Sequence, residues 1–449
     1  MALALIILAA GLGTRMNSTR PKVLHRLAGA PLLHHAMDAA RALQADRVVV
    51  VAGHGADAVE AAARAHTPDA ITVRQEPQLG TAHAVLAARA ALAGFDGDAV
   101  VLYGDTPFIR PETLRAMLAA RRAGAHAVAF LGFETAEPGR YGRLIMAGDR
   151  LIRIVEAKDA TPAELAVTFC NSGVVAADAA TLMTLAASVG NDNAAGEYYL
   201  TDIVAIAAAR GQSATAIACD AAETVGVDSR AGLARAEAAF QARARADAMA
   251  AGVTLIAPET VFLAHDTAIG RDSVIGPHVV FGPGVSLGED VEIRPFCHLE
   301  GCTIESGARI GPHARLRPGA AIATGARIGN FVEVKASRVG AGAAVGHLSY
   351  VGDSDIGAGS NIGAGTVTCN YDGFAKHRTE IGADVFVGSG SMLVAPVRLG
   401  KGAMIAAGST ITDEVPDDAL AFGRARQTNR PGLAARLRAR LRAAAGRRD

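Results

Sequence analysis

The amino-acid sequence predicts an α/β domain followed by a β-solenoid. Strand-like and helix-like segments alternate up to about residue 228, as in a doubly wound, Rossmann-like domain. From residue 263 an aliphatic residue recurs every six positions, with a few five-residue steps such as Leu299 to Ile304, which is the signature of a left-handed parallel β-helix of hexapeptide repeats. We therefore divide the 449 residues into an α/β domain (1–228), a linker helix (229–251), a β-helix (252–420) and a basic tail (421–449).

The predicted strands of the first domain are apolar runs without polar alternation, as expected of strands buried on both faces of a parallel sheet. They are Leu3–Ala9, Arg47–Ala52, Ile71–Arg74, Ala99–Tyr103 and Ala127–Phe133. Ala-rich stretches such as Pro31–Leu43 and Ala82–Ala93 lie between them and are predicted to be helices. Ligands of such a sheet bind at the carboxyl ends of the strands, so functional residues are expected there.

The six-residue register predicts a solenoid of eight coils. Counting one degenerate position at Thr368, 24 hexads run from Ile269 to Ile411. Three hexads make one triangular coil, and at roughly 4.8 Å per coil the stack is about 40 Å long. The register breaks between Ile362 and Ile381, where TCNYDGFAKHRTE is inserted. Stacking does not need this insert, so we interpret it as a functional loop.

Composition and charge are distributed unevenly along the chain. Of 50 glycines, 20 fall in residues 1–251 and 28 in 252–423, where solenoid corners require them. Aromatic residues make up only 4%, which fits thin, repetitive packing. The formal net charge of zero is a cancellation, because the tail from Arg424 holds nine arginines and one acidic residue. We expect no nucleic-acid partner, since the remainder of the chain is acidic.

The sequence gives no sign of secretion or of a membrane span. The five cysteines include no C-x-x-C pair, which fits a reducing cytoplasm. The apolar start MALALIILAAG lacks the basic flank and the cleavage site of a signal peptide. No run approaches the roughly 20 apolar residues that cross a bilayer. We expect a cytoplasmic protein without a membrane partner.

The segment LAAGLGTRMNSTRPKVLH directly follows the first strand. Its Gly11 and Gly13 would let the backbone approach a phosphate, while Arg15 and Lys22 supply positive charge. A dinucleotide fingerprint and a Walker A motif are both absent. The plainer interpretation is a glycine-rich turn with solvated basic side chains.

The motif Tyr103-Gly104-Asp105 at the end of a later strand favours phosphate binding, because Asp105 there is placed to hold Mg²⁺ against a triphosphate. With it, the opening motif resembles that of sugar-nucleotide pyrophosphorylases, a nucleotidyltransferase superfamily. More narrowly, the whole chain resembles the bifunctional bacterial enzymes that join N-acetylglucosamine-1-phosphate uridyltransferase to glucosamine-1-phosphate N-acetyltransferase. The resemblance covers both domains and nearly every motif.

This resemblance implies two successive reactions that make UDP-N-acetylglucosamine, a precursor of peptidoglycan and lipopolysaccharide and thus of the cell wall. Acetyl-CoA first acetylates the amine of glucosamine-1-phosphate. The phosphate oxygen of the product then attacks the α-phosphorus of UTP in line and releases pyrophosphate. Positioning and charge neutralisation would carry this second step without a covalent intermediate.

The resemblance implies a nucleotide-sugar site in the first domain. Arg15 and Lys22 are the expected catalytic residues, and Asp105 and Asp228 the expected Mg²⁺ ligands. The family pattern has Asn where this chain has Asp228, and a carboxylate is at least as good an oxygen ligand. The expected residues that bind UTP and UDP-N-acetylglucosamine are Leu8, Ala9, Gly11, Arg15, Lys22, Gln75, Gly80, Thr81, Tyr103, Gly104, Asp105, Gly142, Glu156, Asn171 and Asp228.

Particular parts of the ligand follow from the same resemblance. Gln75, Gly80 and Thr81 match the residues that read uracil, whereas Gly142, Glu156 and Asn171 match contacts to N-acetylglucosamine. The motif EYYLTD at residues 197–202 also matches the family pattern and is expected beside that sugar.

In the β-helix, His347 is the expected general base, which removes a proton as the amine attacks the thioester. An isolated His on a solenoid is more often structural, but the cations, Tyr and Asn residues near this one favour function. Arg317 and Lys335 suit a sugar phosphate and, with Tyr350 and Asn361, are expected to bind glucosamine-1-phosphate.

The resemblance also implies a coenzyme site and an assembly. The residues expected to contact acetyl-CoA are Ala364, Asn370, Tyr371, Lys376, Ser389, Ala407 and Arg424. Small residues among them would let the pantetheine arm lie against the coils, with Lys376 and Arg424 near its phosphates. The family is trimeric through its β-helix, so we expect a homotrimer whose loop and basic tail reach neighbouring subunits.

Two other functions remain open at this stage. The first is a monofunctional sugar-nucleotide pyrophosphorylase whose β-helix serves only oligomerisation, and His347 with the inserted loop speaks against it. The second is a catalytically silent scaffold or carbohydrate-binding protein. The intact set of Arg15, Lys22, Asp105 and Asp228 speaks against that alternative.

Overall fold

The computed structural model describes residues 2–446. They form two compact units, one up to residue 244 and one from residue 245 onward. The division falls within a helix of 21 residues, Arg230–Ala250, which occupies most of the expected linker. All five cysteines are free thiols. Among residues 2–446 we find no helix that combines the length and apolarity needed to cross a bilayer.

The first unit alternates strands and helices. Its strands are β1 (Ala2–Ala9), β2 (Arg26–Leu27), β3 (Ala30–Pro31), β4 (Arg47–Ala52), β5 (Ile71–Arg74), β6 (Gly97–Tyr103), β7 (Val128–Glu134), β8 (Arg143–Ala147), β9 (Arg150–Val155), β10 (Phe169–Asp178) and β11 (Ala214–Cys219). Its helices are α1 (Leu32–Leu43), α2 (Ala56–His66), α3 (Thr81–Ala87), α4 (Pro111–Ala123), α5 (Pro162–Leu165), α6 (Ala179–Ala186) and α7 (Ile203–Ala209), followed by α8 (Arg230–Ala250).

The main sheet of this unit has the order β11-β7-β10-β6-β1-β4-β5, and β8 and β9 extend it beside β10. β1 is central and pairs in parallel with β4 and β6. Its alternate residues enter different cores: Leu5 packs with residues of α1, α2 and α4, and Ile6 with residues of α3, α6 and α7. Helices therefore cover both faces, and the doubly wound α/β fold is confirmed.

The sheet contains four strands, β8 to β11, that were not predicted, and the structure differs from the sequence-based expectation in two further respects. β10 runs antiparallel between β6 and β7, so the sheet is mixed rather than wholly parallel. The polar segment CNSG interrupts the apolar pattern of β10, so a search for apolar runs does not detect this strand. The pairing of β10 with β7 shifts register between Asn171 and Val175. The helix expected over Ala82–Ala93 ends at Ala87, and a 3₁₀ turn, Ala90–Leu92, follows.

The second unit consists of short strands and one terminal helix. Its strands are β12 (Thr254–Leu255), β13 (Ala268–Ile269), β14 (Val274–Ile275), β15 (Val280–Phe281), β16 (Ser286–Leu287), β17 (Glu292–Ile293), β18 (His298–Leu299), β19 (Thr303–Ile304), β20 (Arg309–Ile310), β21 (Arg315–Leu316), β22 (Ala321–Ile322), β23 (Arg327–Asn330), β24 (Glu333–Lys335), β25 (Arg338–Val339), β26 (Ala344–His347), β27 (Tyr350–Gly352), β28 (Ser354–Ile356), β29 (Asn361–Ile362), β30 (Val367–Cys369), β31 (Thr379–Ile381), β32 (Phe386–Val387), β33 (Met392–Val394), β34 (Val397–Leu399), β35 (Met404–Ile405), β36 (Thr410–Ile411) and β37 (Leu420–Ala421). The helix is α9 (Leu433–Ala445).

These strands stack into three parallel sheets, with every third strand on the same face. Ile269, Leu287 and Ile304 lie above one another on one face, as the hexad register predicts. From Ile275 to Ile411 every predicted hexad residue is buried, and Thr368 takes its degenerate place among them. The eight-coil solenoid is therefore confirmed. The stack continues at both ends, because β12 pairs with β14 and β37 pairs with β35.

Glycine accounts for only some of the solenoid corners. A Cβ on Gly329 would overlap the carbonyl oxygen of Gly346, so no other residue fits there. At a neighbouring corner position, Phe296, His313 and Phe331 adopt the left-handed conformation at φ of 62°, 54° and 55°. Their rings stack at centroid distances of 4.9 and 5.1 Å. These residues adopt the left-handed backbone conformation, which glycine would adopt more easily. At this corner their side chains make stacking contacts between coils that glycine could not make.

Replacing an inward residue should destabilise the solenoid far more than replacing its outward neighbour. Ile310 is fully buried, so Ile310→Ala should lower the free energy of unfolding by about 2–5 kcal/mol through lost burial and a residual cavity. Arg309→Ala on the same strand is the control. Arg309 is exposed and lies 3.7 Å from Glu292, so its loss should cost less than about 1 kcal/mol. Urea unfolding followed by circular dichroism measures both, and equal losses would contradict the inward register.

Candidate functional site

The turn after β1 brings glycine backbone and positive charge to the carboxyl edge of the sheet. Gly13 is left-handed (φ 61°), and a Cβ on it would lie 2.7 Å from the Cβ of Lys22. This close approach requires glycine and holds Lys22 against the start of the turn. A Cβ on Gly11, by contrast, would have no atom within 4 Å, and this residue lines a cavity. Its lack of a side chain leaves room for a ligand.

Two cation–carboxylate pairs lie at this edge. The Lys22 Nζ contacts an Asp105 carboxylate oxygen, and the Arg15 guanidinium lies 2.5 Å from an Asp228 oxygen. The backbone amide of Val227 donates to the carbonyl of Asp105 at 2.9 Å, which ties the loop that carries Asp228 to the end of β6. All four charged side chains line one cavity of about 450 Å³. The structure thus brings together the four residues that the sequence singled out for phosphate and metal chemistry.

A second cavity of about 400 Å³ adjoins the first and shares Lys22, Tyr103 and Asp105 with it. The expected residues that line it are Leu8, Ala9, Gly11, Lys22, Gln75, Gly80, Thr81, Tyr103 and Asp105. Gly104 lies between the two strand ends, where its amide donates to the carbonyl of Leu8 at 3.0 Å. Nearly the whole set expected for the nucleotide therefore surrounds one continuous region.

The loop before α3 is held by the EYYLTD segment. Gly80 has φ 120°, and a Cβ there would lie 2.6 Å from the carbonyl oxygen of Tyr198. Tyr198 donates its amide to Leu79 and accepts from Ala82, both at 2.9 Å. The Thr81 hydroxyl accepts from the amide of Leu200 at 2.9 Å. This motif therefore has a structural role, because it fixes the backbone that lines the cavity.

Gln75 is buried beside this loop. Its side-chain amide nitrogen donates to the carbonyl of Gly80 at 2.9 Å and also contacts His83. The nitrogen is thus committed to the protein, and the side-chain carbonyl oxygen is the group that Gln75 can present to a ligand.

Gly142, Glu156 and Asn171 form a neighbouring group that lines neither cavity. The amide of Asn171 donates to the carbonyl of Gly142 at 2.8 Å. A Cβ on Gly142 would lie 3.5 Å from the Glu156 carboxylate. Burial raises the pKa of Glu156 above its ordinary value, although a hydrogen bond from Thr201 lowers it. A partly buried carboxylate with a raised pKa is a candidate functional group.

Sequence reasoning missed several residues that line the first cavity. They include Thr106, Arg140, Tyr141, Ser172 and Thr224. Arg140 and Tyr141 directly precede Gly142, and Ser172 directly follows Asn171, so proximity to an expected residue was the available signal.

In the solenoid, ion pairs join successive coils on one face. Arg317 pairs with Glu333 at 2.9 Å, and Lys335 pairs with Asp353 at 3.0 Å. The side-chain amide of Asn370 donates to the same Asp353 at 2.5 Å. The hydrogen bond with Asp353 is the main reason that the pKa of Lys335 is raised. We call these five residues the charged ladder.

Lys376 and Tyr350 also belong to this face. The nearby Lys335 ammonium lowers the pKa of Lys376. Tyr350 lies opposite Glu333 in the sheet. The carboxylates Glu333 and Asp353 were missed as site residues, although both stand inside the motifs that carry Lys335 and Tyr350.

His347 lies at the adjacent corner, where its Nδ1 contacts the side-chain oxygen of Asn330 in the preceding coil. An amide oxygen only accepts, so Nδ1 is the donor in this contact, and in the neutral ring the lone pair is on Nε2. Asn330 is a further residue that the sequence interpretation missed, and its place in the GNFVEVK segment was the only signal. His347 is exposed, so its free nitrogen is accessible.

A column of small residues continues from His347 along this corner. The amides of Gly365, Gly390 and Gly408 donate to the carbonyls of His347, Ala364 and Ser389 at 3.3, 2.7 and 2.8 Å. His347, Ala364, Ser389 and Ala407 therefore stand above one another in successive coils. A Cβ on Gly408 would lie 3.7 Å from the Arg424 side chain, so Arg424 reaches the far end. We call His347, Ala364, Ser389 and Ala407 the corner column.

The inserted loop is a short, self-supporting hairpin. The Asp372 carboxylate accepts from the amides of Phe374 and Ala375 at 2.8 and 2.7 Å and contacts the His377 ring at 2.7 Å. These interactions hold the pKa of Asp372 far below its ordinary value. Tyr371 is exposed, and its hydroxyl donates to the carbonyl of Gly373 at 2.6 Å.

Asn361 is the expected site residue that the described contacts do not join to the charged ladder. It lies in β29, where it pairs with Ala344 and Phe386. Within residues 2–446, no group of three or more His, Cys, Asp or Glu side chains is arranged to hold a metal ion. A metal at Asp105 and Asp228 would therefore take its other ligands from substrate and water.

Known families match both units. The MobA-like NTP transferase domain model matches residues 5–158. The bacterial transferase hexapeptide (six repeats) model matches residues 266–301 and 378–413. Fold and matches together define a nucleotidyltransferase domain joined to a left-handed β-helix of the hexapeptide transferase class.

Curated relatives match along the full length. "Bifunctional protein GlmU" of Jannaschia sp. (strain CCS1) is 63% identical over 441 residues, which cover 98% of this chain and 97% of that protein. The Ruegeria pomeroyi protein of the same name is 62% identical over 443 residues, with 99% and 98% covered. The Cereibacter sphaeroides (strain ATCC 17025 / ATH 2.4.3) protein is 61% identical over 441 residues, with 98% and 97% covered.

The chain therefore belongs to the GlmU family. It is a bifunctional enzyme with a uridyltransferase domain and a hexapeptide-repeat acetyltransferase domain. The resemblance seen in the sequence is confirmed, and the monofunctional and non-catalytic alternatives are not favoured.

The partly buried charge of Glu156 should destabilise the first unit at neutral pH. Because its folded-state pKa is raised, ionisation costs stability above that pKa, and the cost is absent below the unfolded-state value near 4.5. Glu156→Gln should therefore raise the melting temperature at about pH 8, and this gain should shrink as the pH falls toward about 5.

Glu164→Gln is the control of opposite sign. Hydrogen bonds from Thr161 lower the pKa of this exposed carboxylate, so its ionised form stabilises the fold above the unfolded-state pKa. Its replacement should lower the melting temperature at neutral pH, with the difference lost in acid. Melting curves across this pH range measure both variants, and a pH-independent effect of Glu156→Gln would contradict the burial of charge.

Proposed function

We infer that the two units perform the two steps of UDP-N-acetylglucosamine synthesis separately. The observation that carries this inference is a division of chemistry between the units. Cations and carboxylates line a nucleotide-sized region in the first unit, whereas an exposed imidazole heads a column of small residues in the second. Acetyl-CoA, glucosamine-1-phosphate and UTP are the substrates.

In the first unit, Lys22 and Arg15 meet the phosphates of UTP. Both cations stand in the first cavity, and Lys22 also lines the second, so the triphosphate lies where the two join. The oxygen of N-acetylglucosamine-1-phosphate attacks the α-phosphorus in line and pyrophosphate leaves. The positive charges stabilise the negative charge that builds up on the transferring group and on the departing pyrophosphate.

Asp105 and Asp228 fit a Mg²⁺ ion. Both are carboxylates that line the same cavity, and Mg²⁺ binds through one or two carboxylates together with phosphates and water. When bound, the ion would neutralise charge on the triphosphate. Asp105 contacts Lys22 and Asp228 contacts Arg15. When UTP binds, each cation can exchange its carboxylate for a phosphate oxygen, and the carboxylates are then available to the ion.

The base and the sugar contact different groups of residues. The Gln75 carbonyl oxygen accepts from the uracil ring nitrogen, since its amide nitrogen is held by Gly80. Beside Gly142, the Glu156 carboxylate accepts hydrogen bonds from the sugar, and the side-chain amide nitrogen of Asn171 donates one to it. The absence of a side chain at Gly142 keeps this carboxylate accessible.

In the second unit, His347 acts as the general base for acetyl transfer. Nδ1 is held as a donor to Asn330, so Nε2 is the atom that takes a proton from the amine of glucosamine-1-phosphate. The amine attacks the thioester carbon and coenzyme A leaves as the thiol. Two adjacent ammonium groups, Lys335 and Lys376, together with Arg317, suit the phosphate of the acceptor.

The corner column is the surface along which acetyl-CoA binds, and we call it the coenzyme track. Ala364, Ser389 and Ala407 rise from His347 in three coils, about 14 Å at roughly 4.8 Å per coil, the scale of an extended pantetheine arm. Arg424 stands at the far end to meet phosphate. Asn370 and Tyr371 come from the inserted loop. In a homotrimer, which we propose on the basis of the hexapeptide repeats, the loop and the tail would approach neighbouring subunits.

The two reactions should be separable by single substitutions. Asp105→Ala should reduce uridylyl transfer at least about 100-fold, since it removes a proposed metal ligand, and leave acetyl transfer unchanged. His347→Ala should do the reverse, because no other base replaces its Nε2. Pyrophosphate release and thiol release measure the two steps. Loss of both activities in a folded variant would refute the division of labour, and acetyl transfer by His347→Ala would favour a different base.

The coenzyme track should be sensitive to side-chain size. Ala407→Leu should raise the KM for acetyl-CoA about tenfold or more, because the added carbons occupy the path of the pantetheine arm. Ala358→Leu is the matched control: Ala358 is exposed and, like Ala407, stands two residues after an inward Ile, but at another corner. Its KM should stay unchanged. Equal effects of both substitutions would contradict the track.

A further inference from the structure

Arg143, at the start of β8, is a buried cation beside the proposed sugar site. Only 3% of its surface is exposed, and none of the ion pairs formed within residues 2–446 includes it. Its Nε is buried as well and has no hydrogen-bond partner among those residues. Burying a charge without a carboxylate partner costs free energy, and an apolar side chain would fill the position at a smaller cost. Packing alone therefore does not account for an arginine here.

The Arg143 guanidinium holds the turn that precedes β8. Its Nη1 donates to the carbonyl of Tyr141, and its Nη2 donates to the carbonyl of Gly139 at 3.2 Å. Nη2 also lies 3.5 Å from the carbonyl oxygen of Leu165, at the end of α5. The N–H groups of a guanidinium form a rigid fork, so one side chain can bind several carbonyls of a turn at once.

This turn carries two residues of the first cavity, Arg140 and Tyr141. Within the turn, the amide of Tyr141 donates to the carbonyl of Pro138 at 3.1 Å. The Tyr141 ring packs edge-on against Phe133 at a centroid distance of 4.8 Å. Arg143 adds hydrogen bonds that join the turn to the sheet, so it helps to fix the backbone of a cavity that it does not itself line.

The strand register places Arg143 among the three residues expected to bind the sugar. Gly142 directly precedes it. On one side Arg143 pairs with the residue of β10 that precedes Asn171, and on the other with the residue of β9 that precedes Glu156. A displacement of the turn would therefore move Gly142 relative to the two polar side chains that are proposed to bind the sugar.

We propose that Arg143 is a positioning residue for N-acetylglucosamine-1-phosphate in uridylyl transfer. It holds the turn by its backbone carbonyls, so that Gly142 leaves space for the sugar beside Glu156 and Asn171. The phosphate oxygen of the sugar is thereby aligned with the α-phosphorus of UTP. Arg143 acts through the turn and not by contact with the sugar. This inference rests on the proposed sugar site.

Two other roles for Arg143 would give different kinetics. A purely structural arginine would stabilise the first unit without favouring one substrate. A long-range positive charge would attract both substrates, because UTP and the sugar phosphate are both anionic. Only the positioning role predicts a selective effect on the sugar phosphate, since Gln75, Gly80 and Thr81, the residues expected to read uracil, belong to other segments.

The test is the steady-state kinetics of uridylyl transfer by the full-length variant Arg143→Met, measured by pyrophosphate release. This change keeps an unbranched side chain but removes every hydrogen-bond donor. The KM for N-acetylglucosamine-1-phosphate should rise about tenfold or more, while the KM for UTP should stay within about threefold. Arg143→Lys should show the same selectivity, because an ammonium is a point charge and does not reproduce the fork.

Leu144→Ala is the matched control for a general loss of stability. Leu144 follows Arg143 in β8, is also buried, and belongs to the core on the opposite face of the strand. Its truncation should lower the melting temperature of the first unit through lost burial, yet leave both KM values within about twofold. Acetyl transfer, performed by the other unit, should be unchanged in every variant.

Asn171→Ala separates this inference from the sugar site on which it rests. An unchanged KM for the sugar phosphate in that variant would refute the sugar site itself. A raised KM there, together with a normal one in Arg143→Met, would refute only the role of Arg143. Equal shifts of both KM values in Arg143→Met, or a selective shift in Leu144→Ala, would show a purely structural role.

Arg143→Lys keeps the proposal testable if Arg143→Met fails to fold. A selective rise in the KM for the sugar phosphate in Arg143→Lys would support the positioning role, because the charge is still present. A normal KM in this variant would show that charge alone is needed, and would overturn the proposal.

Discussion

The β-helix depends on one constraint, the burial of a single aliphatic side chain in each short strand. Ile310 and its equivalents lie above one another, so their contacts hold each coil directly over the last. Because the inward side chains are aligned from coil to coil, the outward side chains of the same strands are aligned as well. Residues far apart in sequence, such as His347 and Ala407, thereby occupy one edge of the prism. Both proposed parts of the acetyltransferase site, the charged ladder and the corner column, are products of this repetition.

In the first unit, two cations and two carboxylates line the same cavity. Lys22 and Arg15 would repel each other, as would Asp105 and Asp228. Pairing each cation with a carboxylate removes both repulsions and keeps all four groups at the carboxyl edge of the sheet. Asp228 matters here in particular, because it is the carboxylate that pairs with Arg15.

Much of this architecture could be predicted from the sequence, for reasons that differ between the units. A six-residue period is a local pattern repeated many times, so the inward residues from Ile275 to Ile411 follow from spacing alone. The glycine-rich turn and Asp105 were found because they directly follow apolar strands. β10 was missed because its polar segment interrupts the apolar pattern, and its antiparallel pairing depends on contacts distant in sequence. Asn330, Glu333 and Asp353 were missed because their roles appear only when successive coils are stacked.

The break in register at the inserted loop shows how a protein of this type accommodates extra chain. The excursion after Thr368 leaves the prism at a corner, closes on itself through Asp372 and returns to the next strand in phase. Smaller changes of length are absorbed in the same way. Leu287 and Ile304 lie above one another although only 17 residues separate them, whereas 18 separate Ile269 and Leu287. Insertions and deletions between strands therefore leave the inward side chains aligned, and the segments between strands are where such a protein can acquire new binding residues.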